Sequence, residues 1–166
     1  LVDSTIEHTW EIADDNYVPQ SGTITLTEDT VVDVELTPLP KVVKFAASAD
    51  TAGYLTDTGD FYLSGRNQYG QQGAASSAES INTFTKRASG VKDFALSDCT
   101  SAYITESGDL YMCGWGTYGQ QGNNSTSNVK SFTKRASGVK QVALTSGTSG
   151  YITESGDFYL CGNGNR

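Results

Sequence analysis

The sequence YLTDTGDFYLSG at residues 54–65 decides the fold, because it occurs three times. It returns as YITESGDLYMCG at residues 103–114 and as YITESGDFYLCG at residues 151–162, at spacings of 49 and 48 residues. Two further blocks repeat with the same period: YGQQG at 69–73 returns at 118–122, and FTKRASGVK at 84–92 returns at 132–140. A fixed period of this length is the signature of a repeat architecture in which each unit packs against its neighbours.

Each repeat predicts four short strands. In the middle copy the strand patterns cover Val91–Leu96, Ala102–Thr105, Leu110–Cys113 and Phe132–Arg135, with a polar loop over 123–130. The glycine of the Glu106–Asp109 segment supplies the positive φ of a tight hairpin turn. Four strands per period are typical of a propeller blade, so the sequence predicts blades at 41–90 and 91–138 and a partial blade at 139–166.

The motif GDxYxxG followed by NQYGQQG (residues 67–73) resembles the regulator of chromosome condensation repeat. The resemblance covers residues 42–166 and implies a β-propeller. We therefore expect an all-β chain with a partial propeller of about two and a half four-stranded blades. Because an open propeller exposes strand edges and blade faces, we also expect further blades, supplied by a longer native chain or by other subunits.

Residues 1–40 differ in composition from the rest and predict a separate β-sandwich-like segment. They contain nine acidic residues and no Lys or Arg. Apolar and polar residues alternate around His8 and Trp10, and again over Thr23–Thr27 and Val31–Leu36, with a turn at 28–29. The stretch NYVPQSGTITLT (16–27) resembles the closing half of PEGA and carboxypeptidase-regulatory-like modules, which implies that the segment is incomplete. Pro38 and Pro40 then predict a stiff linker.

Charge and composition exclude several partners and cofactors. The net charge is −8, and neither part of the chain offers the basic surface that nucleic-acid binding requires. Three cysteines and one histidine, without a C-x-x-C motif, predict neither a metal cluster nor a disulfide framework. No apolar run approaches the ~20 residues that cross a bilayer.

The sequence offers no catalytic constellation, so we expect no enzyme activity and no cofactor. His8 is the only histidine and lies in a strand pattern, which favours a packing or surface role over a catalytic triad. GWGTYG at 114–119 matches G-x-G-x-x-G, but no helical pattern follows, and a structural glycine turn is the better interpretation. Cys113 and Cys161 share one repeat position, which favours packing over a reactive thiol.

Candidate partner-binding residues lie in two places in each repeat. The glycine segments carry Arg66, Tyr69, Trp115 and Tyr118, residue types that dominate protein interfaces, although the repeated tyrosines also suit blade packing. The fourth strand carries the repeated pairs Lys86-Arg87 and Lys134-Arg135. These pairs predict either a solvated edge that discourages strand pairing or a docking site for the acidic segment or for a partner.

Three functions follow from these observations. The main hypothesis is a non-enzymatic display, binding or structural protein on a phage particle or bacterial surface, whose propeller loops engage a protein or glycan. The first alternative, implied by the repeat family, is an intracellular regulator such as a small-GTPase exchange factor. The second is a secreted enzyme inhibitor with the same repeat architecture.

Overall fold

The computed structural model of the chain describes residues 7–25 and 33–163, and these residues form strands, turns and loops. Within those ranges the structure has no helix long and apolar enough to cross a membrane. Backbone contacts divide the chain into two compact units, Leu1–Pro40 and Lys41–Arg166.

The described part of the first unit centres on one antiparallel hairpin. Its strands are β1 (Glu7–Ile12) and β2 (Gln20–Thr25), and Trp10 lies opposite Gly22. A Cβ atom on Gly22 would come within 2.8 Å of the Trp10 ring, so only glycine lets the indole lie across the partner strand.

The structure differs in part from the strands expected in this unit. β2 begins three residues before the predicted Thr23, and residues 33–36 do not form a strand. The predicted turn at 28–29 lies outside the described residues. The resemblance to a PEGA-like module stays a prediction.

The described residues of the second unit form eleven strands in three antiparallel sheets. The first blade contains β3 (Val42–Ala47), β4 (Thr51–Thr56), β5 (Phe61–Arg66) and β6 (Ser80–Ala88). The second contains β7 (Val91–Leu96), β8 (Thr100–Thr105), β9 (Leu110–Gly114) and β10 (Val129–Ala136). In the described residues the third contains β11 (Val139–Leu144), β12 (Thr148–Thr153) and β13 (Phe158–Gly162). The prediction of an all-β chain with a partial propeller is confirmed.

Two apolar clusters lie between successive blades and form the core. In the first, Phe61 and Leu63 of β5 pack with Val91 and Phe94 of β7. In the second, the equivalent residues of β9 and β11 do the same: Leu110, Met112, Val139 and Val142. Phe61 and Leu63 share a face because they lie two residues apart. Val91 and Phe94 lie three residues apart and share a face because the strand has a β-bulge after Val91, as β11 has after Val139. Each buried side chain of this size contributes about 1.5–3 kcal/mol, so contact between blades dominates the stability of the unit.

The shared TxxGD motif forms the hairpin turn between the second and third strands of every blade. Gly59, Gly108 and Gly156 have φ of 78°, 83° and 90°, a conformation that favours glycine. The Thr105 hydroxyl accepts a hydrogen bond from the Asp109 backbone N–H at 3.0 Å, as Thr56 and Thr153 do in the other two blades. The repeat therefore preserves a turn that determines strand register.

A matched pair of substitutions tests whether blade contact supplies most of the stability. Phe61 is fully buried, whereas Phe158, at the same repeat position in the third blade, is 65% exposed. We expect F61A to lower the free energy of unfolding by about 3–5 kcal/mol and F158A by about 0.5 kcal/mol or less. Urea denaturation at low protein concentration measures both. Equal losses would contradict the assignment of the core.

Candidate functional site

Four of the candidate residues form one aromatic row along the glycine segments of two adjacent blades. The Arg66 guanidinium lies 5.8 Å from the centre of the Tyr69 ring, and Tyr69 stacks on Trp115 at 5.5 Å across the blade boundary. Trp115 then meets Tyr118 edge to face at 4.9 Å. Arg66 and Tyr118 are exposed, and Tyr69 and Trp115 are half-buried. We call these four residues the aromatic row.

Position within the repeat explains the order of the row. Arg66 and Trp115 each come directly after the last glycine of the repeated motif, and Asn163 occupies the same position in the third blade. The two tyrosines are the repeated residues. Tyr69 thus lies between Arg66 of its own blade and Trp115 of the next blade.

Buried glutamines hold the tyrosines in place, a role that the sequence interpretation missed. Gln120 accepts a hydrogen bond from the Tyr118 backbone N–H at 2.9 Å and donates to the Ser146 carbonyl of the third blade at 3.3 Å. Gln71 makes the same two bonds, to the Tyr69 N–H and to the Asp98 carbonyl of the second blade. Both glutamine side chains are fully buried. Their exact repetition in YGQQG was the signal available in the sequence.

The second glutamine of each pair fixes the variable residue. The side-chain amide of Gln72 donates to the Arg66 carbonyl at 3.2 Å, and that of Gln121 donates to the Trp115 carbonyl at 3.0 Å. These bonds close each glycine segment on itself. The residue type at this position can therefore differ between the two blades while the backbone stays fixed.

The repeated cysteines also join successive blades. The Cys113 thiol donates to the Gln71 carbonyl at 3.4 Å, and Cys161 lies 3.5 Å from the Gln120 carbonyl in the same relation. Complete burial raises the pKa of Cys113 well above its usual value, because a thiolate there would be desolvated. Cys113 therefore packs and bonds as a neutral thiol.

The G-x-G-x-x-G sequence at 114–119 forms a tight turn and not a phosphate-binding helix start. Gly114 has φ of 110°, and a Cβ atom there would lie 2.2 Å from the Cys99 carbonyl oxygen. A Cβ on Gly116 would lie 2.0 Å from the Ser127 carbonyl oxygen. Turns follow this segment, so no helix N-terminus is present to bind phosphate.

The two edge-strand lysines form ion pairs inside their own blades. Lys86 on β6 lies 2.7 Å from the Asp60 carboxylate, and Lys134 on β10 lies 2.8 Å from the Asp109 carboxylate. Each carboxylate also accepts a hydrogen bond from the serine that follows the strand, at 2.7 and 2.8 Å. These hydrogen bonds lower the pKa of both aspartates, and the one from the lysine has the larger effect.

The two arginines that follow these lysines are less exposed than residues of a solvated edge would be. Arg87 and Arg135 are half-buried, and desolvation lowers the pKa of both. Successive residues of a strand point to opposite faces, so the arginines turn away from the face that holds the lysines. The Arg135 guanidinium reaches the buried Gln121 side-chain oxygen at 3.5 Å. The four basic residues therefore do not form one surface.

A shallow polar depression lies at the third-blade end of the aromatic row. Tyr118, Asn124, Thr126 and Gly162 line it, together with Ser125. Gly147 of the third blade lies against the Tyr118 ring, because a Cβ there would come within 3.2 Å of it. The depression offers hydroxyl and amide groups beside an exposed aromatic ring. Among the described residues no group of His, Cys, Asp and Glu could hold a metal ion.

Comparisons with known proteins agree with this geometry. Residues 91–120 match the regulator of chromosome condensation (RCC1) repeat. The second unit has the fold of a partial β-propeller, and its second blade carries this repeat match. The chain resembles human WBSCR16, with a TM-score of 0.64 and 19% identity over 93% of this chain and 44% of that one. No curated protein matches the sequence.

Two yeast structures show the same fold. The complex of Kap60 with yeast RCC1 (Prp20) gives a TM-score of 0.65 and 21% identity over 78% of this chain and 34% of that one. Prp20p from Saccharomyces cerevisiae, described with its binding properties to Gsp1p and histones, gives 0.63 and 20% over 76% and 33%. The chain thus spans less than half the length of each of these three proteins.

The buried glutamines give a direct test of how the site is held. We expect Q120L to lower the free energy of unfolding by about 1–3 kcal/mol, because the Tyr118 N–H and the Ser146 carbonyl lose their partner. Gln68 provides the control, because it is an exposed glutamine of the first glycine segment that bonds only to the exposed Arg66 side chain, and Q68L should change stability by about 0.5 kcal/mol or less. Urea denaturation followed by tryptophan fluorescence measures both. Equal effects would contradict the positioning role.

The lysine–aspartate pairs predict an acid-labile contribution to stability. The Asp109 pKa is lower in the folded protein than its usual value of 3.8, so the contribution is present above about pH 4. It disappears as the pH falls through the lowered pKa. We expect D109N to lower the melting temperature at pH 7, and the difference from the unsubstituted protein to shrink as the pH falls below about 4.

Asp157 provides the control for this measurement. It occupies the same turn position and forms no ion pair with a described residue. D157N should therefore have the smaller effect on thermal melting between pH 7 and pH 2. A D109N curve parallel to that of the unsubstituted protein at every pH would refute the contribution.

Proposed function

We propose that the chain is a non-enzymatic protein-binding propeller of the regulator type and that the aromatic row contacts the partner. One observation carries the proposal: Arg66, Tyr69, Trp115 and Tyr118 form a continuous, partly exposed strip across two blades. Tryptophan, tyrosine and arginine are the residue types that contribute most to protein interfaces.

The row is pre-organised for binding. Buried glutamines fix the backbone on either side of the rings, and Asp50 holds the Arg66 guanidinium at 2.9 Å. Side chains that are already ordered lose little conformational entropy when a partner binds. The exposed faces of Trp115 and Tyr118 suit apolar or cationic side chains of a partner, and the adjacent depression suits polar ones.

The comparisons favour the regulator hypothesis over display on a particle or cell surface. The yeast structures that resemble this chain concern a protein that binds Kap60 and a protein whose binding to Gsp1p and histones is described. These partners are proteins, which supports a protein ligand and not a glycan. Location on a phage or bacterial surface stays a prediction, which surface labelling would test.

Binding of Gsp1p and of core histones to the full chain tests the proposal. We expect W115A/Y118A to weaken binding of whichever protein associates by at least about tenfold, measured by biolayer interferometry at two salt concentrations. F84A removes an exposed aromatic side chain on β6, outside the row, and should leave the affinity unchanged. Absence of binding to both proteins, or equal losses in the two variants, would contradict the proposal.

A nucleotide-release assay separates the two kinds of regulator. An exchange factor accelerates the release of fluorescent GDP from Gsp1p, whereas a simple binding protein does not. W115A/Y118A should abolish any acceleration in proportion to its loss of binding. Acceleration that survives without binding through the row would assign the exchange activity to another surface.

A further inference from the structure

The first-blade end of the aromatic row holds a positive charge supplied by the chain itself. The Arg66 guanidinium lies against the Tyr69 ring, and a nitrogen of this guanidinium lies 2.9 Å from the Asp50 carboxylate. The negative face of an aromatic ring and a carboxylate both attract the same cation. Three groups thus form one arrangement at this end: a basic side chain, an aromatic ring and an acid.

The second-blade end of the row has aromatic rings and an acid. Trp115 meets Tyr118 edge to face at 4.9 Å. The Trp115 backbone N–H donates to the Cys99 carbonyl at 2.8 Å, so Asp98 directly precedes the residue that holds the indole in place. Asp98 forms no ion pair with a described residue. We call Asp98, Trp115 and Tyr118 the acidic–aromatic site.

Hydrogen bonds from both neighbouring blades fix the Asp98 carboxylate. One oxygen accepts from the Ala49 backbone N–H of the first blade at 3.1 Å, and the other accepts from the Ser146 hydroxyl of the third blade at 3.4 Å. Gly147, the residue after Ser146, lies against the Tyr118 ring, because a Cβ atom there would come within 3.2 Å of it. The carboxylate is therefore held at the same end of the row as this ring.

The Asp98 carboxylate keeps capacity to bind a cation. Both of its hydrogen-bond donors are neutral, and an ionised carboxylate accepts about four hydrogen bonds. Asp98 and Trp115 are half-buried in the second blade, which has a blade on each side. Partial burial strengthens an ion pair relative to one in bulk water. The net charge of −8 also draws positively charged segments towards the chain.

We propose that the acidic–aromatic site binds a lysine or arginine side chain of the protein partner, which contacts the Trp115 and Tyr118 rings and forms an ion pair with Asp98. The inference rests on the proposed function, because it names the chemistry that the aromatic row recognises. The bound cation reproduces in the second blade the arrangement that Arg66 completes in the first. The partner segment that crosses the second blade is therefore basic.

Titration of the ¹⁵N-labelled full chain with short peptides tests the proposal. The probes are acetyl-Gly-Arg-Gly-amide, its lysine counterpart and its citrulline counterpart, since citrulline has the shape of arginine without the charge. The chain has two tryptophans, so the indole N–H signal of Trp115 reports binding and that of Trp10 in the first unit is the internal reference. We expect both cationic peptides to shift the Trp115 signal saturably, and the citrulline peptide to bind at least about tenfold more weakly.

D98N removes the charge of the site and keeps the size of the side chain. We expect it to weaken binding of the arginine peptide by at least about threefold and to reduce the salt dependence of that binding. D157N changes the net charge equally at an exposed turn and should leave the affinity unchanged. Circular dichroism melting checks that both variants fold. If D98N does not fold, the comparison of arginine with citrulline decides alone.

Three results would overturn the proposal: no saturable Trp115 shift with either cationic peptide, equal affinities for the arginine and citrulline peptides, or equal effects of D98N and D157N. Binding of Gsp1p or histones that W115A/Y118A weakens and D98N leaves unchanged would overturn this inference while the proposed function stands. Peptide binding that depends on Asp98, without binding of Gsp1p or histones, would support the acidic–aromatic site and contradict the proposed function.

Discussion

The structure of the propeller unit depends on one requirement: each blade must cover the apolar face of the blade before it. A single four-stranded sheet exposes an apolar side that water disfavours by about 25 cal/mol per Å². Leu63 and Phe94 are buried only because they belong to different blades that meet. The same contact recurs at both blade boundaries.

Hydrogen bonds refine the contact that apolar burial provides. A side chain from the glycine segment of one blade, Gln71 or Gln120, bonds to a backbone carbonyl of the next, and a cysteine of that next blade bonds back. Buried amides are tolerated because both of their polar atoms find partners. The same bonds align the aromatic side chains, so the stability of the blade boundary and the geometry of the candidate site have a common origin.

The repeat allowed much of the fold to be predicted. The period, the strands of the middle blade and the turn at Gly108 follow from alternation and from glycine chemistry within one repeat. The start of β10 at Val129, before the predicted Phe132, does not, because pairing with Gly114 extends that strand into the polar loop. Within the first unit, sequence alternation placed β2 too late, since its pairing with β1 extends it back to Gln20.

The site was predicted in its residue types but not in its geometry. Arg66 and Trp115 stood out as interface residues, yet nothing in one repeat indicates that Tyr69 reaches across to Trp115. That contact depends on the angle between blades, which the sequence does not state. Strand alternation predicts that Lys134 and Arg135 point to opposite faces of β10. It does not predict which of the two faces is buried, because that depends on how the blades pack.

The position of Arg66 and Trp115, directly after the last glycine of the repeated motif, accepts different residue types in different blades. In the first two blades a glutamine side chain donates to the backbone carbonyl of this residue, which is Arg66 in one blade and Trp115 in the other. The backbone carbonyl of this residue thereby supports the fold, and its side chain is available to contact a partner. A surface of this kind can acquire a new specificity by single replacements, one blade at a time, at almost no cost to the scaffold.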